Sequence, residues 1–212
     1  MHVGDDPHGD QPVLRRGPEP AMARLTMILV HGRGDSAAGI LGLTDEFQAA
    51  DVCWLAPQAA LHTWYPYSFL TPMEQNQPGL DSGLGVIARL LRSVERQGVS
   101  SARIGLMGFS QGACLAQEFA ARHAQRYAAI VGLSGGLIGP PGTPRDYAGT
   151  FSGTPVFLGC SDIDPHIPVE RVNESAEVFR KMGATVDERI YARMGHTVNA
   201  DEIDAVNALL RP

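Results

Sequence analysis

At 212 residues the chain is long enough for one well-buried core and short for two. Its composition, 44% hydrophobic and 19% charged, is that of an ordinary globular protein, and a formal net charge of -6 with no basic run argues against nucleic acid or an anionic membrane as a main partner. No stretch approaches the ~20 apolar residues that span a bilayer, and the acidic start Met1–Pro7 has no apolar core that would make it a secretory signal. Three cysteines, Cys53, Cys114 and Cys160, are odd in number and widely separated. They read as buried reduced thiols of a cytoplasmic protein without stable membrane association, and not as a disulfide framework or zinc site.

In chain order, residues 1–24 hold Pro7, Pro12, Pro18 and Pro20 and predict a loosely held arm with a short edge strand at Val13 to Arg16. Residues 25–212 then predict a single catalytic-sized domain. A strand is expected at Leu25 to His31, a short helix at Ala37 to Ala50 with Ile40, Leu43 and Phe47 inward, and a strand at Val52 to Ala56. Pro57 to Gly79 is irregular, with Trp64, Tyr65, Tyr67, Phe69 and Leu70 among prolines and polar residues, and a loop of that length is usually functional or mobile. Leu80, Leu84, Ile87, Leu91 and Val94 repeat at helical spacing, and Gly98 is placed to end that helix.

A strand at Arg103 to Phe109 leads into a helical stretch from Gln111 to Ala124, followed by strands at Tyr127 to Leu133 and Pro155 to Gly159. After Pro168 a helix carries Val169, Val172, Ala176 and Phe179 inward and ends at Gly183. A strand at Val186 to Tyr191 precedes a last helix that starts at Asn199, forms a capping box with Glu202 and buries Ile203, Val206 and Leu210. Such alternation predicts an α/β fold with a mostly parallel sheet covered on both faces. No inserted stretch is long enough for a separate lid domain, while exposed strand edges or apolar loops are compatible with a homodimer.

The densest chemical signal is Gly108-Phe109-Ser110-Gln111-Gly112, a G-x-S-x-G pentapeptide between a strand and a helix. An abrupt strand-to-helix bend strains its central residue and projects the hydroxyl into a cleft, with glycines on either side keeping side chains out of the turn. The helix that follows offers unpaired N–H groups to negative charge. The same residues could equally form a tight turn with a serine N-cap, so the partners decide.

In a parallel α/β sheet, site residues lie beyond the carboxyl ends of strands. His196, after Gly195 in the loop past the last strand, is the best base among seven histidines. His123 belongs to a helix end, His2, His8 and His62 lie in arm or loop segments without matching partners, and His166 is placed to line the site. The orienting acid is Asp162 or Asp164, and Asp164 is favoured because Pro165 holds it extended, whereas Asp162 has the position of a turn residue.

Four strings, Leu29-Val30-His31-Gly32-Arg33-Gly34, the Ser110 pentapeptide, Asp164-Pro165-His166-Ile167-Pro168 and Gly195-His196, resemble the phospholipase/carboxylesterase family of small α/β-hydrolases in order and separation. The resemblance spans about Leu25 to Leu210, and Trp64-Tyr65-Pro66-Tyr67 is similar to the loop of its bacterial carboxylesterase branch and differs from the eukaryotic thioesterase pattern. It implies the α/β-hydrolase fold, a triad in the order Ser110, Asp164, His196, and an oxyanion site made by the main-chain N–H groups of Arg33 and Gln111. The implied reaction is hydrolysis of esters or thioesters of short or medium acyl chains through an acyl-enzyme, with no metal or organic cofactor. Trp64, Tyr65, Tyr67, Phe69, His166 and Met194 are the expected substrate contacts, and the Arg33 side chain is either an exposed loop arginine or an attractant for an anionic substrate group. Hydrolysis of a lactone, amide or peptide would use the same machinery. A non-catalytic ligand-binding role on this fold usually leaves a triad member missing.

Overall fold

The computed structural model describes residues 6–211. Seven strands, β1 (Val13–Arg16), β2 (Leu25–Val30), β3 (Val52–Pro57), β4 (Ile104–Phe109), β5 (Ile130–Leu133), β6 (Pro155–Ser161) and β7 (Thr185–Tyr191), form one sheet in the order β1-β3-β2-β4-β5-β6-β7. Only β1 runs antiparallel to its neighbour; the other pairs are parallel. The chain builds outward in both directions from the β2–β4 pair, where Val30 lies opposite Gly108. This is the topological switch point at which an open parallel sheet leaves a crevice beyond its strand ends.

Both faces of the sheet are covered, and for that reason β2 and β3 are near-continuous apolar runs. Helices α2 (Gly79–Glu95), α3 (Gln111–Arg122) and α4 (Val169–Lys181) lie on one face, and α1 (Ala37–Gly42) and α5 (Ala200–Leu209) on the other. Helix α3 is buried along almost its whole length, and Ala113, Ala116 and Ala120 let it approach the sheet closely. Asn199 and Glu202 cap α5 reciprocally: the Asn199 side chain accepts from Glu202 N–H and the Glu202 carboxylate from Asn199 N–H, each at 2.9 Å. Such caps contribute about 1 kcal/mol.

The structure departs from the sequence expectation at the start of β5, which begins at Ile130 and not at Tyr127, and in three further places. The helix expected over 37–50 is α1 followed by a 3-10 turn, Leu43–Glu46, because the Thr44 hydroxyl bonds back to Leu41 C=O at 2.7 Å and Phe47 leaves helical geometry to stack on Trp54. The segment after β3 is tied down throughout. Two 3-10 turns, Ala60–His62 and Met73–Asn76, break it up, and buried Asn76 accepts from Tyr67 N–H while donating to Ser68 C=O and Thr71 Oγ1. The arm, expected to be loose, is docked from Asp6 onward: Asp6 pairs with Arg89 at 3.1 Å, and the His8 ring is only 3% exposed. Polar fixation of backbone, invisible in hydrophobic periodicity, accounts for both differences.

His8 and His31 both pack against buried Trp64, with ring centroids 5.2 and 5.1 Å from it. His8 Nδ1 accepts from Ala60 N–H at 3.1 Å and His31 Nε2 from Ala59 N–H at 3.0 Å, so both rings are held neutral. Burial pushes both below the ordinary histidine value of 6.5. The unfolded chain therefore binds more protons below that value, and the stability these rings contribute is lost as pH falls through and below 6.5. Glu202, pushed up to about 7 by burial, acts in the opposite sense between 4.5 and 7. Thermal melts from pH 7.5 to 5 are expected to show a smaller acid loss for His8→Asn than for the unsubstituted protein. An equal loss would refute the assignment of a neutral His8.

Candidate active site

Ser110 sits where β4 turns directly into α3, with φ 56° and ψ −122°, a conformation that costs a non-glycine residue on the order of 1–3 kcal/mol. Its N–H is held by Leu133 C=O at 2.9 Å. The flanking glycines are required by contact: a Cβ on Gly108 would lie 2.3 Å from Gly112 C=O, and one on Gly112 would lie 2.0 Å from Val30 C=O. The bend thus exists because two side chains are missing, and it aims the Ser110 hydroxyl outward.

His196 arrives from the loop after β7 and Asp164 from the loop after β6. His196 Nε2 lies 2.8 Å from Ser110 Oγ, and its Nδ1 lies 2.7 Å from Asp164 Oδ2. Asp164 Oδ1 accepts from the N–H groups of His166 at 2.8 Å and Ile167 at 3.0 Å, so every face of the buried carboxylate has a donor. Burial works to raise its pKa, but the bonds from His196, His166 and Ile167 outweigh it and hold the carboxyl below its ordinary range. Asp162 is used differently, its Oδ1 accepting from Arg193 N–H at 2.7 Å and thereby fastening the two loops together. Ser161 adds a second fastener, since its hydroxyl accepts from Ile163 N–H and Gly195 N–H.

The His196 ring is held between Phe109, 5.0 Å away, and the edge of His166, 4.9 Å away. Ser110 and His196 line an open cavity of about 600 Å³, and the Asp164 carboxylate lies buried behind His196. Of the residues named from the sequence as substrate contacts, Tyr65, Tyr67, Phe69 and His166 line the cavity, together with Phe109 and Ile167, for which membership of two of the motif strings was the only signal.

Two of the expected contacts lie elsewhere. Trp64 is fully buried beneath the loop, its indole donating to His31 C=O at 2.9 Å, because a ring of that size with a satisfied N–H is the core of the segment. Met194 is outside the cavity wall, with its sulfur against the Asn199 amide at the start of α5.

Arg33 and Gln111 both line this cavity, and their backbone N–H groups make no hydrogen bond with the described residues. The Arg33 guanidinium donates to the carbonyls of Pro66 at 2.8 Å, Tyr65 at 3.0 Å and Tyr67 at 2.7 Å. The arrangement has three parts that acyl transfer needs: a hydroxyl, a base in contact with it and a carboxylate on the far side of the base. Cys53, Cys114 and Cys160 are buried free thiols, and burial pushes the Cys160 thiol, next to Asp164, up to about 12, which keeps it protonated and out of nucleophilic chemistry. No helix among the described residues is long and apolar enough to cross a membrane.

Comparison with known proteins gives the same class. Residues 18–211 match the family described as Phospholipase/Carboxylesterase. The chain is 25% identical over 221 residues to acyl-protein thioesterase 1 of Gibberella zeae, covering 92% of each, and 26% identical to that of Yarrowia lipolytica, covering 90% of this chain and 92% of the relative. A crystal structure of a phospholipase/carboxylesterase from Dyadobacter fermentans superposes with a TM-score of 0.91 at 39% identity, over 95% of this chain and 96% of that one. Zea mays acyl-protein thioesterase 2, at 20% identity, shares the fold with a TM-score of 0.70 over 95% of this chain and all of its own length. The chain belongs to the phospholipase/carboxylesterase family, as an ester- or thioester-hydrolysing enzyme on the α/β-hydrolase fold.

Proposed function

We propose that the protein hydrolyses carboxylic esters, and thioesters of the same size, with short or medium acyl chains, through an acyl-enzyme on Ser110. The observation that carries this reading is the unbroken hydrogen-bonded series from Ser110 Oγ, at the wall of the cavity, through His196 to the buried Asp164 carboxylate. His196 takes the proton from Ser110 as Oγ attacks the carbonyl carbon. The oxygen that becomes negative is met by the N–H groups of Arg33 and Gln111, a pair of fixed donors each worth about 2.7–4 kcal/mol in the transition state. Protonated His196, stabilised by Asp164, then gives its proton to the departing alcohol or thiol, and water activated by the same imidazole releases the acid.

The preference for short or medium chains rests on the open cavity of about 600 Å³ and on its aromatic walls at Tyr65, Tyr67, Phe69 and Phe109. A fluorophosphonate probe is expected to label Ser110 and to abolish turnover. A series of p-nitrophenyl esters is expected to give its highest kcat/KM below long-chain lengths, and a parallel series of thioesters and lactones ranks the bond type. Absence of labelling in the folded protein would instead support a ligand-binding role, and a maximum at long acyl groups would overturn the size preference.

A further inference from the structure

Arg33 lines the cavity, as Asp35 does, and carries a cationic side chain to which the reaction scheme gives no role. Its guanidinium meets three carbonyls of three consecutive residues, Tyr65, Pro66 and Tyr67. Both hydrogens of Nη2 and one of Nη1 are thereby committed. The remaining donors, Nε–H and one Nη1–H, are on separated edges, so no adjacent pair is left to grip a carboxylate or phosphate in the bidentate fashion that makes arginine an anion receptor. The geometry therefore favours a clamp over an anion site.

Gln111 grips the same loop from the opposite side. Its side-chain oxygen accepts from Trp64 N–H at 2.9 Å and from the Thr63 hydroxyl at 3.3 Å, and its amide nitrogen donates to Tyr65 C=O at 2.8 Å. Tyr65 C=O is thus shared by Arg33 and Gln111. These are the two residues whose main-chain N–H groups the proposed reaction assigns to the oxyanion, yet one follows β2 and the other follows β4, with no hydrogen bond between them. The loop from Thr63 to Tyr67 is the piece that both hold.

We propose that the Arg33 guanidinium is a positioning residue: by seating the carbonyls of Tyr65, Pro66 and Tyr67 it sets the spacing between the Arg33 and Gln111 backbone donors, and with it the stabilisation of the tetrahedral intermediate. The proposal rests on the serine-hydrolase reading above. Donors displaced by a fraction of an ångström to one ångström from a developing charge lose up to about a hundredfold in rate. The effect falls on kcat, because the charge those donors meet is absent from the bound substrate.

Arg33→Met, with similar length and no donors, is the test, read in three ways. Amide hydrogen exchange is expected to speed up in residues 63–68, kcat on p-nitrophenyl acetate to fall about 10- to 100-fold with little change in KM, and the affinity for phenylboronic acid, which forms a tetrahedral adduct on Ser110, to fall by the same factor. Arg33→Lys, which keeps the charge and loses the fork, is expected to recover little of this.

Unchanged loop exchange would overturn the clamp. A loosened loop with kcat and boronate affinity unchanged would overturn its link to the donors. Full activity of Arg33→Lys, or a rise in KM confined to anionic esters, would assign the charge an attracting role instead. Fluorophosphonate labelling of the unsubstituted protein separates the underlying reading: no label at Ser110 refutes the hydrolase scheme, and this proposal with it.

Discussion

Ser110→Ala is expected to reduce kcat on a short ester by about six orders of magnitude, since a triad acting as a unit loses almost all of its contribution with any one essential member. The structure gives this substitution little other consequence. Ser110 is held by its backbone, through Leu133 C=O, and its hydroxyl meets only the His196 ring. Alanine keeps the Cβ, adds no volume and leaves the strained φ of 56° as it was. The melting temperature should therefore stay within a few degrees while turnover disappears. Residual activity within tenfold of the unsubstituted enzyme would place the nucleophile elsewhere.

Asp164→Asn is expected to lower kcat by about four orders of magnitude. The reason lies in the direction of the hydrogen bonds. Asp164 Oδ1 accepts from His166 and Ile167 N–H, an arrangement that asparagine can keep with its own oxygen. Its amide NH2 must then face His196 Nδ1, which can only accept from it. The ring proton is forced onto Nε2, towards Ser110, and the base has no lone pair left for the serine proton. Asp162→Asn makes the opposite comparison. Its oxygen still accepts from Arg193 N–H, so turnover should fall by no more than a few-fold. Steady-state kinetics of the two variants side by side decide the acid, and greater damage from Asp162→Asn would reverse the assignment.

Most of the fold was legible because buried parallel strands and half-buried helices leave strong periodic patterns. The helical repeat from Leu80 to Val94 and the cap at Asn199 appear where their residue types place them, in α2 and α5. The loops that carry Ser110, His196 and Asp164 were readable for the same reason, since each follows a strand that ends in the same crevice. What periodicity did not carry was polar anchoring. Asn76 and His8 are single polar residues in irregular segments, and only their hydrogen-bond partners, within the loop for Asn76 and far along the chain for His8, reveal them as fixed points of the aromatic loop and the arm. Trp64 misled for a related reason: an aromatic in a loop has the same appearance whether it faces a ligand or supports the loop from below.

The order of residues along the chain is enough to establish an α/β protein with a serine at a strand-to-helix bend, because backbone strain, glycine placement and apolar spacing are local properties. Tertiary structure alone decides the rest. It brings Ser110 within 2.8 Å of His196 across 86 positions of sequence, gives Asp164 and not Asp162 to the imidazole, and sets the exposed Arg33 guanidinium on three backbone carbonyls. Hydrogen bonds of this kind depend on fractions of an ångström and on the direction of a lone pair, quantities that no pattern of residue types encodes until the strands are set side by side.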